Sequence, residues 1–145
     1  MNFRDYLPFA SSLASGPTEA AWRSAVSRAY YAAFHVARNL FTDLGFTVPK
    51  AERAHAYLWL RLANCGHPDV QNAGLDLNHL RQDRNRADYE AQRSMSRPTA
   101  AKNVQIAAEI IHVLDAAALG PTRTLVVDTM KVYERDVLNQ VTWHP

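Results

Sequence analysis

The chain has 145 residues, 48% hydrophobic and 21% charged, with a net charge of +2, which is the size and composition of one globular domain with one core. These values exclude the low apolar content of disorder, and no uncharged apolar stretch approaches the roughly 18 residues of a membrane span. Cys65 is the only cysteine, which rules out an intramolecular disulfide and a multi-cysteine zinc site. The opening Met-Asn-Phe-Arg-Asp-Tyr lacks the basic-then-apolar order of a secretory signal, so a cytoplasmic location is expected.

Helical periodicity runs from end to end and predicts an all-α fold. A short helix is expected over residues 3–13, with Pro8 either removing one hydrogen bond or starting a new turn. After Ser15-Gly16-Pro17, Thr18 is a candidate cap for a helix of about 26 residues. Its apolar stripe is Trp22, Val26, Ala29, Tyr30, Ala33, Phe34, Ala37, Leu40, Phe41 and Leu44, and Gly45 is its expected left-handed stop. Arg23, Arg28, Arg38 and Asp43 fall on the opposite side.

A third helix is expected over residues 51–64 and a fourth over 69–89; the fourth is the most polar and carries the densest arginines. Arg97-Pro98-Thr99 opens a fifth helix rich in small residues, and Gly120-Pro121 ends it. Residues 125–141 form a last helix, so residues 1–120 are expected to be the bundle and 121–145 an extension packed on it or on a partner subunit.

Several side chains are candidates for a site, each with a plainer reading beside it. Arg81, Arg84 and Arg86 suit phosphate, because guanidinium groups bind oxyanions in a fixed fork, and Arg81 and Arg84 are neighbours on one helix face. Asp83, Asp88 and Glu90 are interleaved with them, so ion pairing on a solvated helix accounts for the same cluster. Tyr30 is expected in the core, whereas Tyr31 with Arg28, three positions away, is the expected surface pair for stacking a base beside a cation. His55 and His79 are either structural histidines or groups that approach the arginines in space. Trp59 and Trp143 suit either core or interface. No glycine-rich phosphate loop, HExxH pair, nucleophile elbow or calcium loop is present, and no metal or cofactor is expected.

The run Arg28-Ala29-Tyr30-Tyr31-Ala32-Ala33-Phe34-His35-Val36-Ala37-Arg38-Asn39-Leu40 resembles the signature of small prokaryotic HEPN domains. It is joined in the same order by the Gly45 stop, by His55 near the start of the third helix, and by Leu80-Arg81 with Ala87-Asp88-Tyr89, over residues 3–119. The resemblance implies an up-and-down bundle of four or five helices, frequently a homodimer, whose catalytic members cut RNA without a metal. It also implies, for many bacterial modules, a minimal nucleotidyltransferase as partner in a defence or toxin–antitoxin system.

The catalytic motif of that family is an arginine, four to six residues, then a histidine, one to hold phosphate and one to move a proton. Here Arg81, Arg84 and Arg86 of the fourth helix stand without the histidine. From Arg81 the window holds Arg86, Ala87 and Asp88; from Arg84, Tyr89, Glu90 and Ala91; from Arg86, Ala91, Gln92 and Arg93. Asp88 beside arginines is expected to be ionised and a tyrosine ordinarily titrates near 10, so neither replaces the histidine.

The expected function is therefore a helical module without an intact ribonuclease centre, binding a protein partner and a nucleotide or RNA. The alternative is a metal-independent endoribonuclease toxin whose histidine is displaced to His79, His55 or a second subunit. If Ala87 stands in the lost histidine's place, Tyr89 matches the tyrosine that the family's toxin members present for nucleotidylation; otherwise its ring packs on the second helix with its hydroxyl inward.

Overall fold

Pro8 shows how the local sequence sets the first element. A 3-10 turn, Phe3–Asp5, gives way to α1 (Tyr6–Ala14), so Pro8 lies in a new first turn, where its missing N–H leaves no bond unmade. The computed structural model describes residues 1–144. There follow α2 (Glu19–Asp43), α3 (Arg53–Ala63), α4 (Pro68–Tyr89), α5 (Arg97–Ala117) and α6 (Gly120–Val132), which runs on as a π-type turn, Tyr133–Leu138. Among the described residues there is no strand, only a lone antiparallel bridge between Phe46 and Trp143.

The caps explain the boundaries. The Thr18 side chain accepts from the Ala21 amide at 3.2 Å and Ser96 from the Thr99 amide at 3.2 Å, starting α2 and α5. At the end of α2, Gly45 has φ +95°, the Phe46 amide returns to Phe41 O at 2.9 Å and the Gly45 amide to Thr42 O at 3.1 Å. With the Phe41 and Phe46 rings 5.7 Å apart, this is a complete Schellman stop. The third helix begins two residues later than expected because Ala51 sits at φ +58°. The sixth begins earlier, at Gly120, since Pro121 occupies a first-turn position that needs no N–H.

α2 is the central helix and packs against α1, α4 and α5, while α3 packs on α4. Its buried set exceeds the predicted stripe, adding Ala25, Ala32 and Val36 to Val26, Ala29, Tyr30, Ala33, Phe34, Ala37, Leu40 and Phe41. Small alanines on several sides let neighbours approach α2 around most of its girth. Leu58, Leu62, Leu77, Leu80, Ile110, Leu114 and Met130 complete the interior. The α3–α4 contact depends on Gly74: a Cβ there would lie 2.6 Å from the Ala63 amide nitrogen and 2.8 Å from Leu62 Cβ.

The C-terminal segment folds back on the bundle. Val126 and Met130 enter the main core, and Glu134, fully buried, accepts from Arg61 Nε at 2.8 Å. Its carboxylate also accepts from the Thr142 amide at 2.8 Å and the Thr142 hydroxyl at 2.5 Å, while the Arg61 guanidinium lies 3.5 Å from the centre of the Tyr57 ring. Among the described residues no single helix is long and apolar enough to cross a membrane.

Candidate functional site

At 100° per residue, Arg81, Arg84 and Asp88 share one face of α4, whereas His79, Asp83 and Arg86 fall on the other. The structure separates them accordingly. Arg86 pairs with Asp83 at 2.9 Å, Asp83 also accepts from Asn103 of α5 at 3.1 Å, and exposed His79 lines the shallow groove beside them. Thus neither His79 nor Arg86 joins the arginines of the first face.

On that first face Arg84 is 12% exposed at its side chain and donates to Asp88 at 2.9 Å and Asn85 at 3.1 Å. Its guanidinium lies 5.0 Å from the Tyr31 ring centre and 5.5 Å from that of Tyr89. Asp88 is held in turn by the Ser27 hydroxyl of α2 at 3.2 Å. Among the described residues Arg81 donates only to neutral Asn78, at 3.0 and 3.3 Å, and pairs with no carboxylate.

The surface pair expected between Arg28 and Tyr31 does not form. Arg28 turns to the Tyr6 ring, 5.0 Å away, and Tyr31 faces Arg84 instead. Tertiary packing of α1 beside α2 supplies a better aromatic partner for Arg28 than its own helix does. Tyr89 is 74% exposed, so its ring does not pack inward on α2.

His55 comes to the same face from α3. It is 8% exposed, its Nδ1 is 2.5 Å from the Tyr30 hydroxyl, and its ring centre is 6.4 Å from that of Tyr31. Burial pushes its pKa below the ordinary histidine value, Glu52 opposes this, and Arg84 and Arg81 add to it. Burial likewise raises the Tyr30 hydroxyl far above its usual value and raises Tyr31, with Arg84 opposing. The tyrosine–histidine pair is therefore neutral near pH 7, with Arg81 and Arg84 as its nearby cations.

A pH test follows from the sign of these shifts. His55 is depressed, and so is His35, through burial first and Arg38 second. The stability they contribute is fully present above about pH 6.5, the unfolded value, and is lost as pH falls through the folded values. Urea titrations are expected to show the unfolding free energy declining below that point, with a shallower decline in His55→Gln. A decline unchanged by that substitution refutes the assignment.

Sequence reasoning missed Arg23. Its spacing puts it on the outer side of α2, yet it donates to the carbonyls of Arg86, Ala87 and Glu90 at 3.2, 3.0 and 3.2 Å and to that of Arg93, capping the end of α4. The signal was absent locally, because its acceptors are 63 to 70 residues away.

The fold and this face define a helical-bundle protein with paired arginines, two tyrosines and a histidine converging from three helices. The family model for the HEPN domain matches residues 12–117, well over half the chain, and the protein belongs to the HEPN-domain family. No curated protein and no solved structure matches significantly.

Proposed function

We propose that this protein is a HEPN module that binds a nucleotide or RNA phosphate on the Arg81–Arg84 face without efficient cleavage, working with a protein partner in a bacterial defence or toxin–antitoxin system. The observation that carries the reading is the Arg84 guanidinium set against the rings of Tyr31 from α2 and exposed Tyr89, with Arg81 one turn earlier on α4, a helix that lacks the family's histidine. Arg81 supplies a cation free of carboxylates for phosphate, and the tyrosine rings supply faces for a base. We place the protein in the cytoplasm as part of this proposal.

The test is single-stranded RNA binding across a salt series. Each phosphate contact contributes about 0.7 to the log–log salt slope, so Arg81→Ala with Arg84→Ala is expected to reduce it by about 1.4 and weaken binding. Binding that is absent, or indifferent to salt, removes the proposal.

One observation favours the ribonuclease alternative: His55 is near enough to Arg84 and Arg81 for both to lower its pKa, and its Nδ1 lies 2.5 Å from the Tyr30 hydroxyl, which leaves Nε2 as the other ring nitrogen. Cleavage of RNA in a chelator, abolished by His55→Ala and by Arg84→Ala, is the result that would establish it. No cleavage at high protein concentration leaves the binding module.

The exposure of Tyr89 supports its being reachable by a partner transferase. Co-expression with a neighbouring nucleotidyltransferase is expected to add a nucleotide mass that Tyr89→Phe abolishes, while Tyr89→Phe changes stability by less than about 0.5 kcal/mol, as surface substitutions do. An unmodified protein counts against this role.

Homodimerisation, which the resemblance implies, is also proposed. α2 is covered within one chain, but Leu119, Leu125, Val132 and Val137 of the C-terminal segment are exposed. A monomer by sedimentation at tens of micromolar excludes it.

A further inference from the structure

On the far side of α3 from the arginine face, a cleft of about 380 Å³ is walled by α3, the loop after α2 and the returning C-terminal tail. Arg53, Tyr57, Leu60 and Arg61 line it from α3, at positions that share one helix face, and Leu138, Gln140 and Thr142 line it from the tail. Its size lies at the lower end of small-molecule pockets.

Two features make its electrostatics specific. Arg61 is 3% exposed, and its Nε and Nη1 are engaged by Glu134 and by Tyr57 O, but its Nη2 is buried without an acceptor. Buried guanidinium N–H groups are normally satisfied, so this one is spare donor capacity behind the cleft wall. Arg53, exposed at the rim, has no carboxylate within 4.0 Å among the described residues.

The charges therefore sum to one excess positive charge: two arginines against Glu134, whose oxygens are already taken by Arg61 and Thr142. Leu60, Leu138, Pro49 and the Tyr57 ring supply apolar wall for the body of a ligand. We propose that this cleft is a second binding site, separate from the Arg81–Arg84 face, for a small organic anion of single charge with an apolar body. Its charged end meets Arg53 at the rim, with the buried Arg61 guanidinium behind the wall adding to the positive field, and the tail closes over its side.

Benzoate and uncharged benzamide, matched in shape, test this by amide chemical-shift titration of the full chain. Benzoate is expected to bind about ten-fold more tightly than benzamide, with saturable shifts at Thr47, Gln140 and Thr142. Arg53→Gln, at an exposed position, is expected to remove most of that difference while leaving benzamide unchanged. Arg84→Ala is expected to leave both ligands unaffected, which separates this site from the α4 face. Equal binding of the two ligands, no saturation up to about 20 mM, indifference to Arg53→Gln, or shifts mapping to Tyr31 and Arg81 would each overturn the proposal.

Discussion

Replacing Glu134 by alanine is expected to lower the unfolding free energy by about 3–5 kcal/mol, the usual result of stranding one member of a buried ion pair. Arg61 is 4% exposed at its side chain and would keep its charge with no counter-ion, while the Thr142 amide and hydroxyl would lose their acceptor. Urea denaturation measures the loss directly. The double variant Arg61→Met with Glu134→Leu is expected to recover much of it, because removing both charges also removes the desolvation cost. A Glu134→Ala loss below about 1 kcal/mol, the size expected of an exposed pair, would mean the tail does not stay docked in solution.

Alanine at position 74 is the second large effect, and it runs against helix propensity. In a free helix Gly→Ala gains up to about 1 kcal/mol. Here the new Cβ would meet the Ala63 amide nitrogen at 2.6 Å and Leu62 C at 3.0 Å, both backbone atoms that cannot rotate aside. Overpacking of this kind costs about 1–3 kcal/mol and sometimes more, so the clash outweighs the propensity and α3 must move off α4. Gly74→Ala is expected to be destabilising by about 2 kcal/mol net in thermal or urea unfolding. Because His55 is on α3 and the arginines are on α4, the same substitution is expected to weaken RNA binding as well. A stabilised variant would show that the two helices are not held this close.

The fold was largely legible because α-helical order is local: the apolar spacing in α2, the Thr18 and Gly45 boundaries and the proline-marked breaks all lie within a few residues of what they control. The HEPN resemblance rested on the same helix and on the arginine cluster. The site was legible in part. Arg81 and Arg84 could be placed together from their three-residue spacing, but their meeting with His55 depends on the packing of α3 against α4, which no local pattern encodes. Arg28 was misread for the same reason, since its aromatic partner, Tyr6, comes from α1. The pairing of Arg61 with Glu134 joins two charges 73 residues apart, and no local pattern marks them as partners. Gly74 carried no warning either, because a helical glycine reads as weak propensity until the neighbouring backbone is known.

Arg23 has a consequence for timescale. The last carbonyls of a helix carry the negative end of its macrodipole and ordinarily fray into solvent within the final turn. Here one guanidinium gathers two of them, those of Arg86 and Ala87, together with the Glu90 and Arg93 carbonyls of the turn after α4, and ties them to the middle layer of the bundle. Amide hydrogens at Arg86 and Ala87 should therefore exchange at rates set by opening of the bundle rather than by fraying. Arg84, Asp88 and the Tyr89 backbone are then held in register before any ligand arrives, so little ordering entropy is left to oppose binding on that face.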